Sequence, residues 1–433
     1  MIKLNKTMID LYWAFISIAV SSLVQLLLRV VLGRDLGVSG LGIYTLIFTI
    51  YLFGMQFANF GIGSALTKYV AEYRDDLKKI TEYTTSGILG SFIYGSAISV
   101  ILFLSSDLVA VNIFHYPDMG YLLKVLAFCF PFIAVQKSVL GVLNGWQKIT
   151  HYAIINIAQN TLVFLSSILL VIVLHLGING AVLGLVLPTI VVGSLSLAYV
   201  KRSLFMPRKL LDGILIKLSG FGFYVTLANS VSLINSQVNV LLIGVFLNDT
   251  QVGYFAVAGI LIQGMSLLPS AVQTIISPKI SRLHGNEDYS GIRKIIKSTF
   301  MYTFIITVLL SISLILFGRY LIDIFFSDVF APAYLPLVLL VIGQIAYAPL
   351  VSIGSALAYI GKVNVVFKIE IASMAFSVLL NILLIPTFGI NGAAAATSIS
   401  LILTTVLNLY VLNTFINDLD GRITASRRQT GDF

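Results

Sequence analysis

The sequence predicts an all-α integral membrane fold of twelve transmembrane helices, arranged as two pseudo-symmetric six-helix lobes around a central cavity. Three observations predict it. The first is composition: of 433 residues, 58% are hydrophobic and 10% charged, where soluble domains carry about 25% charged residues. The second is a series of apolar segments, each long enough to cross a bilayer. The third is an internal repeat at roughly half the chain length.

The apolar segments fall at about 9–32, 40–66, 86–106, 120–144, 152–175, 179–200, 218–246, 252–276, 298–318, 333–360, 364–385 and 391–416. About 20 apolar residues rising 1.5 Å each span the hydrocarbon. Lipid leaves only helices and closed barrels as spanning structures. Barrel strands would alternate strictly over about ten residues, a pattern these runs lack. Met1 to Asp10 is short and polar, and the run after it is too long for a signal-peptide core, so it reads as a span. The connections are short. The longest, about 67–85, 201–217 and 277–297, carry charged, amphipathic pieces and none has room for a soluble domain. The segment 417–433 reads as a polar, irregular tail.

Twelve spans place both termini on one side. Assigning that side to the cytoplasm leaves only Arg34 and Arg319 as basic residues in the opposite connections; all other loop lysines and arginines fall inside. This bias is the expected topology signal for a multi-pass protein of the cell membrane with both termini cytoplasmic. It also accounts for most of the net charge of +9, so the basic loops require no nucleic-acid partner. Cys129 is the single cysteine, which excludes an intrachain disulfide and a cysteine-cluster metal site.

Gly177-Ile178-Asn179-Gly180-Ala181 after the fifth span recurs as Gly389-Ile390-Asn391-Gly392-Ala393 after the eleventh, 212 residues on. Gly42-Ile43-Tyr44 answers Gly253-Tyr254-Phe255, and Lys148 answers Lys362 in the equivalent turn. Six spans repeated from the same side form a parallel repeat, related by an axis along the membrane normal. The predicted division is an N-terminal lobe at 1–205, a C-terminal lobe at 206–416 and a tail at 417–433. Transporters built this way place substrate between the halves near the midplane.

The first span carries a polar seam. Ser17, Ser21, Gln25 and Arg29 recur every four residues along one helix face. A guanidinium inside the membrane normally faces a wet or protein-lined space. The equivalent seventh span has its own seam, with Asn229, Ser232, Asn235, Ser236 and Asn239 at steps of three and four. These seams, with Lys137, Asn156 and Asn160, are the candidate substrate-binding residues of a cavity. For any single Ser, Asn or Gln, the competing reading is a hydrogen bond between packed helices. Further polar candidates are Gln136, Gln159 and Gln344. Glu370, with Ser373, Ser377 and Asn381 continuing its face, is the candidate for carrying a coupling ion or for pairing with Lys137.

The four histidines are scattered without metal-ligand spacing. No Walker A run, GxSxG elbow or HExxH occurs. The expectation is a protein that is not an enzyme and holds no cofactor or metal.

Leu32-Gly33, Gly42-Ile43-Tyr44, Phe60-Gly61-Ile62-Gly63-Ser64-Ala65-Leu66 and Lys68-Tyr69-Val70-Ala71-Glu72-Tyr73 carry a family likeness. Gly141-Val142-Leu143-Asn144-Gly145 with Lys148, and both GINGA turns, extend it over nearly the whole chain. In these motifs the chain resembles the polysaccharide flippases of the multidrug/oligosaccharidyl-lipid/polysaccharide exporter superfamily. The resemblance implies two six-helix lobes facing a central cationic cavity, and movement of lipid-linked oligosaccharide from the inner to the outer leaflet by alternating access. It implies a polyprenyl-phosphate or pyrophosphate glycan as substrate, with membrane lipids around it. With no nucleotide site in the sequence, a coupling proton or sodium ion is the expected energy source, and other glycan-assembly proteins are candidate partners. Only Arg29 and Lys137 clearly meet the expectation of a cationic lumen. The alternatives are an ion-coupled small-molecule antiporter of the multidrug type, a peptidoglycan-precursor flippase, and a non-transporting membrane partner of a glycan-synthesis complex.

Overall fold

The computed structural model describes residues 6–203, 213–354, 356–360 and 362–430. The 205/206 lobe boundary falls outside them. The described residues are helical and contain no strand. Nine of their helical segments are long and apolar enough to cross a membrane, or ten when the bent pair 119–127 and 130–145 is taken as one.

Two helices are too long for a single crossing. Helix α1, Lys6–Asn59, turns at Gly37 (φ 69°, ψ −170°), which separates an arm over 6–36 from one over 38–59. The final helix, α14, Val363–Thr430, turns in the same way at Gly389 (φ 60°, ψ −142°). Both backbones lie at positive φ, where glycine meets no Cβ penalty. Gly389 opens the second GINGA turn; its counterpart Gly177 has φ 56°. The repeat is therefore visible in backbone conformation as well as in sequence.

After α1, the chain reverses at Phe60 (φ 45°) and Gly61 (φ 66°). The second apolar segment thus ends before residue 60, and α2 (Ile62–Glu72) follows as a separate helix. Asp76 then caps α3 (Leu77–Leu108), accepting from the Lys79 amide at 3.1 Å. A short π-turn at Val109–Ile113 closes it. The fourth apolar segment is a bent pair, α4 (Met119–Ala127) and α5 (Phe130–Gly145), meeting at 44°. Pro131 in the first turn of α5 fits the bend, because its missing N–H lies where no intrahelical acceptor exists. Helices α6 (Ile149–Ile168) and α7 (Gly177–Ser196) follow.

The second half repeats several of these devices. Helix α8 (Ile214–Phe246) ends just before Asn248, whose side chain accepts from the Gln251 amide at the start of α9 (Asp249–Met265). This break stands 211 residues from the Gly37 kink. The eighth apolar segment continues as α10 (Leu267–Gly285) after a bend at Ser266. Asp288, 212 residues beyond Asp76, caps α11 (Tyr289–Phe326) through the Gly291 amide at 2.8 Å. Helix α12 (Tyr334–Ile353) stops at Gly354 (φ 63°), and α13 (Ala356–Tyr359) is a short turn before α14. The segment expected to be an irregular tail instead continues α14 as far as Thr430.

The chain packs as two compact units, Met1–Leu233 with Asn248–Gly253, and Ile234–Leu247 with Tyr254–Phe433. In the first unit, α2 and α5 cross where both lack side chains: a Cβ on Gly141 would lie 2.1 Å from the Gly63 carbonyl oxygen. The Thr67 hydroxyl bridges the crossing by donating to the Gly141 carbonyl at 3.0 Å. Ile62, Leu66, Val70, Val139 and Leu143 bury around it. Membrane helices lack a hydrophobic driving force for association, so close backbone approach and such bridges supply the contact energy. The second unit has a similarly close crossing of α12 and α14, where Gly343 faces Ser398 and the Ser398 hydroxyl donates to the Leu339 carbonyl at 2.5 Å.

Candidate functional site

The seam of the first arm of α1 meets α6. The Gln25 amide donates to Asn160 Oδ1 at 3.1 Å, and Asn160 Nδ2 donates to Ser21 Oγ at 3.0 Å. Three of the residues singled out by spacing thus form one half-buried cluster. Asn156 turns back on its own helix, donating to the Tyr152 carbonyl at 3.2 Å. Gln159, on the neighbouring face of α6, donates to Thr189 of α7 at 2.9 Å. The Tyr51 hydroxyl also bonds Thr189, linking the second arm of α1 to the same point.

Arg29 stands one turn beyond Gln25. Its guanidinium carbon lies 5.4 Å from the centroid of the Phe48 ring, across the Gly37 kink. Phe48 stacks on Tyr44 and is tilted against Tyr51, with centroids 6.1 and 5.8 Å away. A cation over an aromatic face is attracted by the ring quadrupole, more strongly where water is scarce. Among the described residues, no carboxylate pairs with Arg29 and no hydrogen bond occupies its five donors. Lys137, half-buried on α5, likewise has no ion pair and no hydrogen bond among the described residues. The first unit thus carries two intramembrane cations without an acidic partner. Its neighbour Gln136 is buried, with Oε1 unpartnered.

The seam of α8 divides. Ser232 is exposed in the first unit, and Asn229 is exposed beside it. Asn235, Ser236 and Asn239 belong to the second unit. There Asn235 hydrogen-bonds Glu370 of α14, with Tyr347 of α12 within electrostatic reach of the carboxylate. Within the second unit Glu370 is held by the seam of α8; Lys137 lies in the first unit. Asn239 Nδ2 donates to Thr397 Oγ1 at 2.7 Å, while Asn239 Oδ1 is buried without a partner. Ser373 Oγ and Asn381 Oδ1, on the Glu370 face, are buried and unpartnered as well. Gln344 donates to Ser266 at 2.6 Å.

Sequence spacing therefore located the polar helix faces but not all their partners. Thr189, Tyr51, Phe48 and Thr397 were not singled out, since a lone hydroxyl or aromatic residue in an apolar run carries no periodic signal. No group of three or more His, Cys, Asp or Glu among the described residues is placed to hold a metal ion.

A profile of the polysaccharide biosynthesis protein family matches residues 10–284. A probable low-salt glycan biosynthesis flippase of Haloferax volcanii is 22% identical over 394 residues, covering 89% of this chain and 79% of the relative. A putative O-antigen transporter of Shigella flexneri is 20% identical over 415 residues, covering 91% and 95%. Among solved structures, the lipid II flippase MurJ in an inward closed conformation superposes with a TM-score of 0.79 at 18% identity, covering 98% of this chain and 93% of that one. An inward-facing multidrug resistance MATE family transporter gives 0.73 at 16% identity, covering 93% and 96%. These similarities establish the fold, and the family match extends over more than half the sequence. The chain belongs to the polysaccharide biosynthesis protein family.

Proposed function

We propose that this protein is a transporter that flips a lipid-linked oligosaccharide from the inner to the outer leaflet by alternating access. The observation that carries the reading is the pair of intramembrane cations, Arg29 and Lys137, standing without acidic partners in the first unit. An unpaired guanidinium in a membrane helix is costly, and a phosphate or pyrophosphate headgroup supplies the charge-assisted hydrogen bonds that offset this cost. Ser21 and Gln25 on the helix of Arg29, Asn156 and Asn160 on α6, and Ser232, Asn235, Ser236 and Asn239 on α8 offer amide and hydroxyl groups suited to sugars. The polyprenyl tail stays in lipid. The names of the relatives from Haloferax volcanii and Shigella flexneri support the same substrate class.

The reading includes twelve crossings. Counting each arm of α1 and α14 separately, and α4 with α5 as one, brings the spanning segments to that number. The loop charges support cytoplasmic termini in the cell membrane, and the 212-residue repeat supports two six-helix lobes around a shared cavity. On that orientation Arg29 lies toward the outer end of a helix that starts inside, so it acts late in translocation. Glu370, held by Asn235 among unpartnered buried oxygens, is the group proposed to carry a coupling proton or sodium ion.

The test is a leaflet-translocation assay with defined lipid-linked sugars in vesicles containing the purified chain. Movement that depends on Arg29 and Lys137 supports the reading. Efflux of small organic cations with no glycan movement would replace it with the multidrug-type antiporter.

A further inference from the structure

A third polar face lies on α10, outside the seams of α1 and α8. Ser266, Ser270, Gln273, Thr274, Ser277 and Ser281 recur at steps of three and four, which lays them along one side of the helix. Gln263, in the last turn of α9, continues the row. Gln263, Ser270, Thr274 and Ser281 are exposed, and the other three are half-buried. From Gln263 to Pro278 the chain carries no charged residue. The whole face belongs to the second unit.

The corresponding helix of the first half is built differently. At the spacing that relates Gly42 to Gly253, Gln273, Ser277 and Ser281 answer Ile62, Leu66 and Val70 of α2. Those three aliphatic side chains are fully buried around the crossing with α5. Helix α2 packs through this face, whereas α10 leaves it open. The Gln263 amide makes no hydrogen bond among the described residues, and an exposed amide without a partner is costly in lipid. The face therefore borders water rather than hydrocarbon.

The hydroxyls of the row have already used their protons. Ser270 donates to the Ser266 carbonyl at 2.8 Å, Thr274 to the Ser270 carbonyl at 3.0 Å, and Ser277 to the Gln273 carbonyl at 2.8 Å. A hydroxyl has one proton and two lone pairs, so these three present acceptors outward. Pro278 has no N–H, which leaves the Thr274 carbonyl without its helical donor and adds a further acceptor. Phosphate oxygens, being acceptors themselves, gain nothing here. An uncharged ligand that brings O–H and N–H donors does. We propose that this row is a sugar-binding site, which contacts hydroxyl and acetamido groups of the glycan and takes no part in holding the headgroup. The inference rests on the flippase reading and assigns the glycan end of the substrate to residues which that reading does not use.

The experiment measures binding of two probes to the full chain in lipid nanodiscs: a polyprenyl pyrophosphate carrying a disaccharide, and the same lipid without sugar. The double variant Ser270→Ala with Thr274→Val removes two acceptors. It is expected to weaken binding of the sugar-bearing lipid about tenfold and to leave the bare lipid unchanged. Methylating the sugar hydroxyls should cost the unaltered chain a similar factor, because the donors are then gone. If the double variant fails to fold, Thr274→Val alone, close to threonine in shape, decides the matter through a fall of about threefold, with Thr274→Ser keeping the original affinity. An equal fall for both lipids, or no fall for either, overturns the proposal. The headgroup reading fails on a different result, unchanged binding of the bare lipid by Arg29→Ala.

Discussion

The seams of α1 and α8 occupy equivalent places in the repeat, yet they are used differently. On α1, Ser21 and Gln25 are tied to Asn160 of α6, and the helix presents Arg29 over Phe48 with no acid nearby. On α8, Asn235 is tied to a carboxylate, Glu370, and Asn239 to Thr397. Among the described residues, Arg29 and Lys137 of the first unit have no acidic partner, and Glu370 of the second has no paired cation. On the function proposed above, the first would serve an anionic headgroup and the second a proton or small cation.

The largest effects should come from breaking the cationic side of this comparison. Arg29→Ala and Lys137→Ala are each expected to abolish glycan translocation at normal expression. One lost charge-assisted hydrogen bond is worth about 1.5–3 kcal/mol, roughly ten- to a hundredfold in headgroup affinity. Arg29→Lys should retain part of it, because the charge remains while the bidentate fork is lost. Full translocation by the Ala variant removes that residue from the site.

The acidic side should respond in another readout. Glu370→Gln is expected to leave binding of the lipid-linked sugar intact while uncoupling transport from an imposed ion or proton gradient. Translocation that stays fully gradient-driven in this variant would exclude Glu370 from coupling. A smaller effect sharpens the role of the α1 seam. A double-mutant cycle of Gln25→Ala and Asn160→Ala, read by thermal unfolding, should give a coupling of about 0.6 kcal/mol, the average for membrane-buried hydrogen bonds. A coupling near zero means that the two side chains are held apart in the membrane, free for substrate.

The equivalent helix caps offer the mildest test. Asp76→Ala should destabilise by about 1 kcal/mol through loss of the cap on α3, and Asp288→Ala should act in the same direction on α11. The Asp288 carboxyl is held below its ordinary range by the Gly291 amide and the Ser290 hydroxyl. Its contribution is therefore fully present above about pH 4 and is lost as the pH falls through the lower folded-state value. Asp288→Asn should flatten that part of the acid unfolding profile.

Much of this was legible in the residues. The GINGA turns announced the repeat, and Gly177 and Gly389 both take positive φ. Period-four spacing put Ser21, Gln25 and Arg29 on one face; Ser21 and Gln25 meet Asn160 of α6, and Arg29 lies over Phe48. Segment ends were less legible. The break at Phe60–Gly61 lies inside an unbroken apolar run, and the extension of α14 to Thr430 crosses a polar one, because hydropathy reports burial in lipid rather than backbone continuity. The contact of Glu370 with Asn235 was not legible either, since Asn235 lies far from it in the chain and spacing marked it only as a seam residue.

The sequence by itself determined the membrane environment, the apolar segments, the recurring motifs and the polar faces of the helices. Each follows from local quantities: hydropathy summed over a window, a period of 3.6 residues, or a motif recurring at a constant offset. Only the tertiary structure decided which polar groups meet and which remain unpaired. It also decided that Ser270, Thr274 and Ser281 of α10 stay exposed, whereas Ile62, Leu66 and Val70 of α2 are buried. A helix face specifies a direction, whereas a contact depends on what another, distant helix brings to that direction.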